Sequence, residues 1–195
     1  PTDDLDIKGL EFMKSNYPKI FGNFFKDILQ RVIKGAPQDE IDTLLKDFRT
    51  KILSPDTSLT ILGNPTRVKT LDKYLASPPR PGEMFSSINQ GAPAPVKAAI
   101  KYNDLLTFWK LDKQHSKITQ GDKVKWIYLK ENPYKIDALA FLDFDIPEKI
   151  ITLLDKYADK NRAFESILES KLQGFYNDLG WELNMNPYRN LIFSF

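Results

Sequence analysis

The chain has 195 residues, of which 42% are hydrophobic and 12% aromatic, and its formal net charge is only +2. That length and apolar content support one ordinary domain or two small ones. The lack of cysteine excludes disulfides and cysteine-bound metals, and a single histidine, His115, argues against a histidine-based metal site. There is no apolar run of about eighteen residues and no apolar leader, so we expect neither a membrane span nor a secretory signal.

The charge is unevenly distributed along the chain. Residues 1–57 hold nine basic and ten acidic side chains, residues 58–130 hold twelve and five, and residues 131–195 hold seven and eleven. A basic middle suggests a surface for a polyanion. A solvated, lysine-rich surface would explain the same composition.

The first predicted elements are a strand end and two helices. Residues 6–12 mix apolar and polar positions in the manner of a strand end, whose sheet would lie upstream. Pro18 suits the first turn of a helix whose apolar stripe runs to the turn at residues 35–37. A second amphipathic helix is predicted over residues 38–53, and the two helices should pair as a hairpin.

The middle of the chain is predicted to contain short elements. Composition favours a strand over residues 58–62, then a turn over residues 63–67 and a helix that opens within residues 91–103. Residues 77–93 carry few signals for regular structure. The amides and hydroxyl of the predicted turn suit a phosphate, although an ordinary turn explains them equally.

Two lysines of that predicted helix share one face. Lys97 and Lys101 are four residues apart, which places them on the same side of a helix. Both would then be able to reach phosphates. A solvent-facing lysine pair is the other interpretation of this spacing.

The last predicted elements are a strand pair and two helices. A strand over residues 120–129 precedes a partner strand over residues 138–141. Helices are predicted over residues 146–157 and 161–179. Between the second strand and the first of these helices, Asp143 and Asp145 imitate a metal-binding carboxylate pair. Their neighbours argue for another role, since Pro147 follows and the acids Asp143 and Glu148 suit the cap region of a helix.

Several stretches resemble the palm-to-thumb junction and thumb of family B DNA polymerases, in particular those of large tailed bacteriophages. They are K-G-L-E-x-x-K-S-x-x-P over residues 8–18, a Gly-Ala-Pro start and Tyr-Asn pair within residues 91–103, Gly-Asp-Lys-Val at residues 121–124 with Asn-Pro at residues 132–133, and the terminal Ile-Phe-Ser-Phe. Family members often carry histidine or phenylalanine where this chain has Ala94 and Pro95.

The resemblance implies an α+β fold in three parts. Residues 1–17 would end the palm and residues 18–180 would form a mostly helical thumb, with a helical hairpin, returning C-terminal helices and a small antiparallel sheet at the tip. Residues 181–195 would form a clamp-binding tail. The implied thumb core is Phe24, Phe25, Ile28, Leu44, Phe48, Ile167, Leu168 and Phe175.

The resemblance implies that this chain binds DNA and does not catalyse a reaction itself. The DNA-binding candidates, which would hold primer–template duplex through its phosphates, are Lys8, Lys14, Asn64, Thr66, Arg67, Lys69, Lys97 and Lys101. The residues implied to bind a sliding clamp are Leu191, Ile192, Phe193 and Phe195; packing of this tail onto its own domain is the alternative. Catalytic carboxylates and Mg²⁺ would lie in a palm upstream, so we expect no catalytic residue, metal or cofactor in this chain.

On this reading the chain is a non-catalytic part of a nucleotidyltransferase in the cytoplasm of an infected bacterial host. Its partner would be an upstream fragment with exonuclease, palm and fingers, whether the chain is an excised piece or one product of a split gene. A competing hypothesis is an adaptor with no DNA role, whose tail binds another protein. A third is a hydrolase that uses Asp143 and Asp145.

Overall fold

The computed structural model describes residues 19–56 and 58–181, which divide into two compact units. The first unit runs to Leu62 and resumes at Lys160, and the second is Gly63–Asp159. The first contains helices α1 (Lys19–Ile33), α2 (Gln38–Ile52) and α5 (Lys160–Asp178). The second contains β1 (Asn64–Arg67), β2 (Leu75–Ser77), β3 (Ser87–Ile88), α3 (Ala94–Phe108), β4 (Lys123–Tyr128), β5 (Ala138–Phe141) and α4 (Glu148–Tyr157). Helices combined with small antiparallel sheets confirm the α+β class.

The core of the first unit is aromatic. The apolar stripes of α1 and α2 bury residues at helical spacing, among them Phe25, Ile28 and Phe48 as the sequence predicts. Phe24 and Leu44 are only partly buried. Two buried rings that the sequence prediction omitted, Phe21 and Phe164, pack against each other with centroids 5.7 Å apart, and both contact Phe48. The predicted core side chains of Ile167, Leu168 and Phe175 lie outside the described residues.

Polar contacts fix α5 on α2 within this unit. The Tyr176 hydroxyl donates to Asp42 Oδ1 at 2.8 Å, and Arg49 Nη2 donates to Asn161 Oδ1 at 2.8 Å. The late helix therefore returns to the hairpin, whereas α4 belongs to the second unit.

The main sheet of the second unit has the order β1-β4-β5, and both pairings are antiparallel. Helix α3 lies against β5, and Pro95 occupies its first turn as predicted. The predicted strand over residues 58–62 is wrong, because Leu59–Leu62 form a 3₁₀ helix and the strand begins at Asn64, within the predicted turn. Ser58 Oγ accepts the Thr60 N–H at 3.4 Å and so favours a local turn over a strand.

A second, two-stranded sheet overlaps residues 77–93, for which the sequence predicts little regular structure. Strands β2 and β3 pair antiparallel through Leu75 and Ile88. Beneath them, Ile88 packs with Leu71 and Tyr74 against the buried side chains Val96 and Ile100 of α3. All three residues of β2 are exposed, so this strand lacks the alternation that sequence patterns detect. Within the described ranges, no helix combines the length and hydrophobicity that crossing a membrane would require.

Candidate nucleic-acid interface

Two cations face each other across strands β1 and β4. Arg67, the last residue of β1, is the register partner of Lys123, the first residue of β4. Directly opposed residues of an antiparallel pair project from the same face, with Cβ atoms about 5 Å apart. Arg67 and Lys123 are both exposed, so two positive charges stand side by side at this end of the sheet.

The Arg67 side chain is held in place by the turn before β4. Its Nη1 donates to the carbonyl of Gly121 at 2.7 Å. Gly121 has a φ of +92°, a conformation that glycine adopts readily, and its N–H donates to the Val68 carbonyl at 2.7 Å. The nearby Asp122 carboxylate accepts the Thr119 N–H at 2.8 Å and so closes this turn. Backbone and turn together therefore position the guanidinium.

Asn64 and Thr66 lie on the opposite face of the sheet from Arg67. Their register partners are Trp126 and Val124, so the four side chains share one face. Asn64 and Thr66 are half-buried. They belong to an edge strand rather than to the predicted turn, and the sheet separates them from the Arg67 side chain. The structure thus does not bring Asn64 and Thr66 onto the same face of the sheet as Arg67.

Of the remaining candidates near β1, Lys69 is exposed just beyond the strand. Lys8 and Lys14 lie outside the described residues. So do the predicted clamp-binding residues, which are Leu191, Ile192, Phe193 and Phe195.

The two lysines of α3 have different surroundings. Lys97 is exposed, whereas Lys101 is half-buried with Nζ 4.4 Å from the centroid of the Phe85 ring. Burial lowers the pKa of the Lys101 ammonium, an effect that the carboxylates of Asp104 and Asp137 oppose and the charge of Lys97 reinforces. Lys101 is therefore part of the packing around α3, and Lys97 is the solvent-facing member of the predicted pair.

Lys101 lies near the end of β4 at which Tyr128 stands. Asp137, whose charge acts on Lys101, precedes Ala138, and Ala138 pairs with Tyr128 at the end of β4. Lys123 begins the same strand. Five residues of extended strand span about 17 Å. Lys101 therefore lies away from the end of the sheet at which Arg67 and Lys123 are opposed.

Few cations of the second unit form ion pairs with described residues. Lys125 forms an ion pair with Asp143, with Nζ and Oδ2 2.9 Å apart. It is the only lysine or arginine of residues 63–159 that forms an ion pair with a described residue.

The Asp143–Asp145 pair has a structural role. Asp143 forms an ion pair with Lys125 and does not cap a helix, which corrects the sequence prediction for this residue. Helix α4 begins after Pro147 without a side-chain cap. Glu148 lies in its first turn, within the predicted cap region. Asp145 accepts the Ser116 N–H at 3.0 Å and contacts His115 Nδ1 at 2.7 Å. These two contacts lower the pKa of Asp145. The described residues include no group of three acidic, histidine or cysteine side chains able to hold a metal ion.

The sequence prediction missed Lys123 as a candidate. Only the β1–β4 register shows that it stands opposite Arg67, and the sequence offers no local signal for a pairing across more than fifty residues. No protein-family model matches the chain, and no curated protein sequence matches it either. The family resemblance and its implied function therefore stay predictions.

Proposed function

We propose that the chain is the C-terminal thumb region of a family B DNA polymerase of the tailed-bacteriophage type. Its second unit would grip primer–template duplex DNA through phosphates. The observation that carries this proposal is that Lys125 is the only basic side chain of residues 63–159 in an ion pair with a described residue. Cations without carboxylate partners are available to phosphates, and each phosphate contact releases counterions from the duplex.

Three carboxylates of this unit accept hydrogen bonds from neighbouring segments of the fold. Asp104 accepts both the N–H and the hydroxyl of Ser86, each at 2.8 Å. Asp122 closes the turn at Thr119, and Asp145 holds the segment at His115. The acids thus serve the fold, whereas exposed lysines and Arg67 remain for a polyanion.

The motifs behind the family resemblance have physical roles in the second unit. The Gly-Asp pair at residues 121–122 forms the turn that opens β4. In the Asn-Pro motif, Asn132 is buried, donates to the carbonyls of Lys130 and Ile136 at 2.8 Å each, and accepts the Tyr134 N–H at 3.1 Å. The motif therefore shapes the connection between β4 and β5. This structural role supports the proposal that the chain shares its fold with the thumb of family B polymerases.

In this proposal the chain binds duplex DNA and a sliding clamp, and nucleotide incorporation takes place on another fragment. The catalytic carboxylates and their Mg²⁺ would belong to an upstream palm fragment. The residues 191–195 would attach the assembly to a sliding clamp. Duplex held by its phosphates would be retained without regard to sequence, and retention would weaken steeply as salt rises.

One observation favours the adaptor alternative. Phe144 is 80% exposed, although both of its neighbours are anchored, Asp143 to Lys125 and Asp145 to His115. An exposed aromatic side chain is available for contact with a partner protein. An adaptor would bind a partner through Phe144 and would not bind DNA.

The test compares two double variants with the same net charge. Arg67→Gln with Lys69→Gln removes two exposed cations of the second unit, and Lys19→Gln with Lys46→Gln removes two exposed cations of the first. Binding to a labelled primer–template duplex is measured over a range of salt concentrations. We expect a plot of log affinity against log salt to fall less steeply for the first variant than for the parent chain. The control should fall as steeply as the parent chain. Equal losses, or no binding by the parent chain at low salt, would reject the proposal in favour of the adaptor.

A second assay addresses the polymerase assignment. The chain is mixed with an upstream family B fragment that contains exonuclease, palm and fingers, and primer extension is measured. We expect no incorporation by the chain alone and a gain in processive extension by the mixture. If the chain adds nothing to the fragment, the assignment as a polymerase part fails.

A further inference from the structure

The opposition of Arg67 and Lys123 is electrostatically unfavourable in the isolated chain. Like charges directly opposite each other across an antiparallel pair destabilise it. Here the two cations occupy register partners at the exposed end of the pair. The guanidinium is also restrained by its hydrogen bond to the Gly121 carbonyl, which limits its freedom to swing away.

Neither cation forms an ion pair with a carboxylate of the described residues. Asp122, next to Lys123, is bonded to both the N–H and the hydroxyl of Thr119. Asp143 is bound to Lys125, two residues farther along the same face of β4. Among the described residues, the Arg67 side chain hydrogen-bonds only to Gly121, and the Lys123 side chain forms no hydrogen bond or ion pair.

We infer that Arg67 and Lys123 together bind one phosphodiester group of the nucleic-acid backbone. An anion placed between them would receive a charge-assisted hydrogen bond from each and would convert the repulsion into attraction. The planar guanidinium supplies directed N–H donors, and the lysine supplies a mobile point charge. This inference rests on the proposed function and deepens it, since it assigns a single phosphate to two residues.

A double-variant cycle on the full chain tests the shared phosphate. Affinity for a labelled duplex is measured against salt for Arg67→Gln, Lys123→Gln and the double variant, with Lys46→Gln as an exposed control in the first unit. Either single variant should lose about tenfold in affinity at low salt. The slope of its log affinity against log salt should become shallower by about one unit. The slope for the double variant should equal that for either single variant. Two independent, additive losses, or the same loss in Lys46→Gln, would overturn the inference.

Charge reversal separates this role from that of an ordinary solvated lysine. Lys123→Glu places a carboxylate opposite Arg67 and replaces a repulsive pair with an attractive one. We expect its Tm to rise while its affinity for duplex falls. Lys113→Glu changes the net charge equally and should leave Tm unchanged. A Tm that does not rise in Lys123→Glu would show that the two side chains do not act as a pair.

Titration with inorganic phosphate distinguishes this inference from the proposed function. The side-chain NMR signals of Arg67 and Lys123 are followed during addition of phosphate and, separately, of a short duplex. Shifts with both ligands are expected. A shift with phosphate but no binding of duplex would reject the proposed function and the phosphodiester assignment, and would leave a site for free anions. Duplex binding without a shift at either residue would overturn the inference alone.

Discussion

The Tyr176 hydroxyl donates a hydrogen bond to Asp42 Oδ1 at 2.8 Å and so joins the late helix α5 to α2 across 134 positions of sequence. The ring of Tyr176 is fully buried and meets Trp181 edge-on, with centroids 5.4 Å apart. One residue therefore combines apolar packing with a polar contact that fixes its orientation. The hairpin and the returning helix depend on each other through this contact.

Replacement of Tyr176 by phenylalanine should therefore weaken the first unit while retaining its packing. Hydrogen bonds to charged groups contribute about 1.5–3 kcal/mol, so we expect a loss of about 2 kcal/mol in the free energy of unfolding. Urea denaturation followed by helical circular dichroism measures it. Tyr157→Phe is the control, because the structure gives the Tyr157 hydroxyl no hydrogen bond to a described residue. A loss of equal size in both variants would show that the Asp42 contact is not responsible.

Helices and turns with local causes were predictable from the sequence. Helix α2 begins at residue 38 as predicted, because the 3.6-residue period and the Pro37 boundary act within a few residues. The start of β1 at Asn64 was not predictable, because it depends on pairing with the distant strand β4. The Arg67–Lys123 and His115–Asp145 pairs were also beyond prediction, since each depends on contacts between distant segments.

Gly63 is required where β1 approaches β4. A Cβ at this position would lie 2.9 Å from Lys125 Cβ and 3.1 Å from Phe141 Cζ, closer than packed carbons tolerate. We expect Gly63→Ala to destabilise the chain by about 1–3 kcal/mol in urea denaturation. The matched control is Gly91→Ala, where nothing lies within 4 Å of the added carbon. It should be neutral or slightly stabilising. If the two variants behave alike, the close approach at Gly63 is not a constraint.

Asp104 connects α3 to the segment at Ser86. It is buried and accepts the Ser86 N–H and hydroxyl, each at 2.8 Å. Asp104→Ala would leave a buried backbone donor without its acceptor, so we expect a loss of about 3 kcal/mol in stability. Ser86→Ala removes only the hydroxyl contact and should cost about 1 kcal/mol. Thermal denaturation of the two variants measures both values. A greater loss from Ser86→Ala than from Asp104→Ala would contradict this account.

Asp145 should make the stability of the second unit depend on pH. The Ser116 N–H, the His115 side-chain hydrogen bond and the nearby charge of His115 lower the pKa of Asp145 despite a smaller opposing effect of burial. A carboxyl group whose pKa is lower in the folded state adds stability above its unfolded pKa of about 3.9 and loses it as pH falls through the folded value.

The corresponding experiment compares urea midpoints from neutral to acidic pH. Asp145→Asn should lower the midpoint at pH values well above 3.9, and its deficit relative to the parent chain should shrink as the pH falls below that value. Asp112→Asn is the control, because Asp112 is exposed and makes no side-chain contact to a described residue. Its midpoints should follow those of the parent chain throughout. A deficit in Asp145→Asn that stays constant into acid would mean that the carboxylate charge does not stabilise the His115 contact.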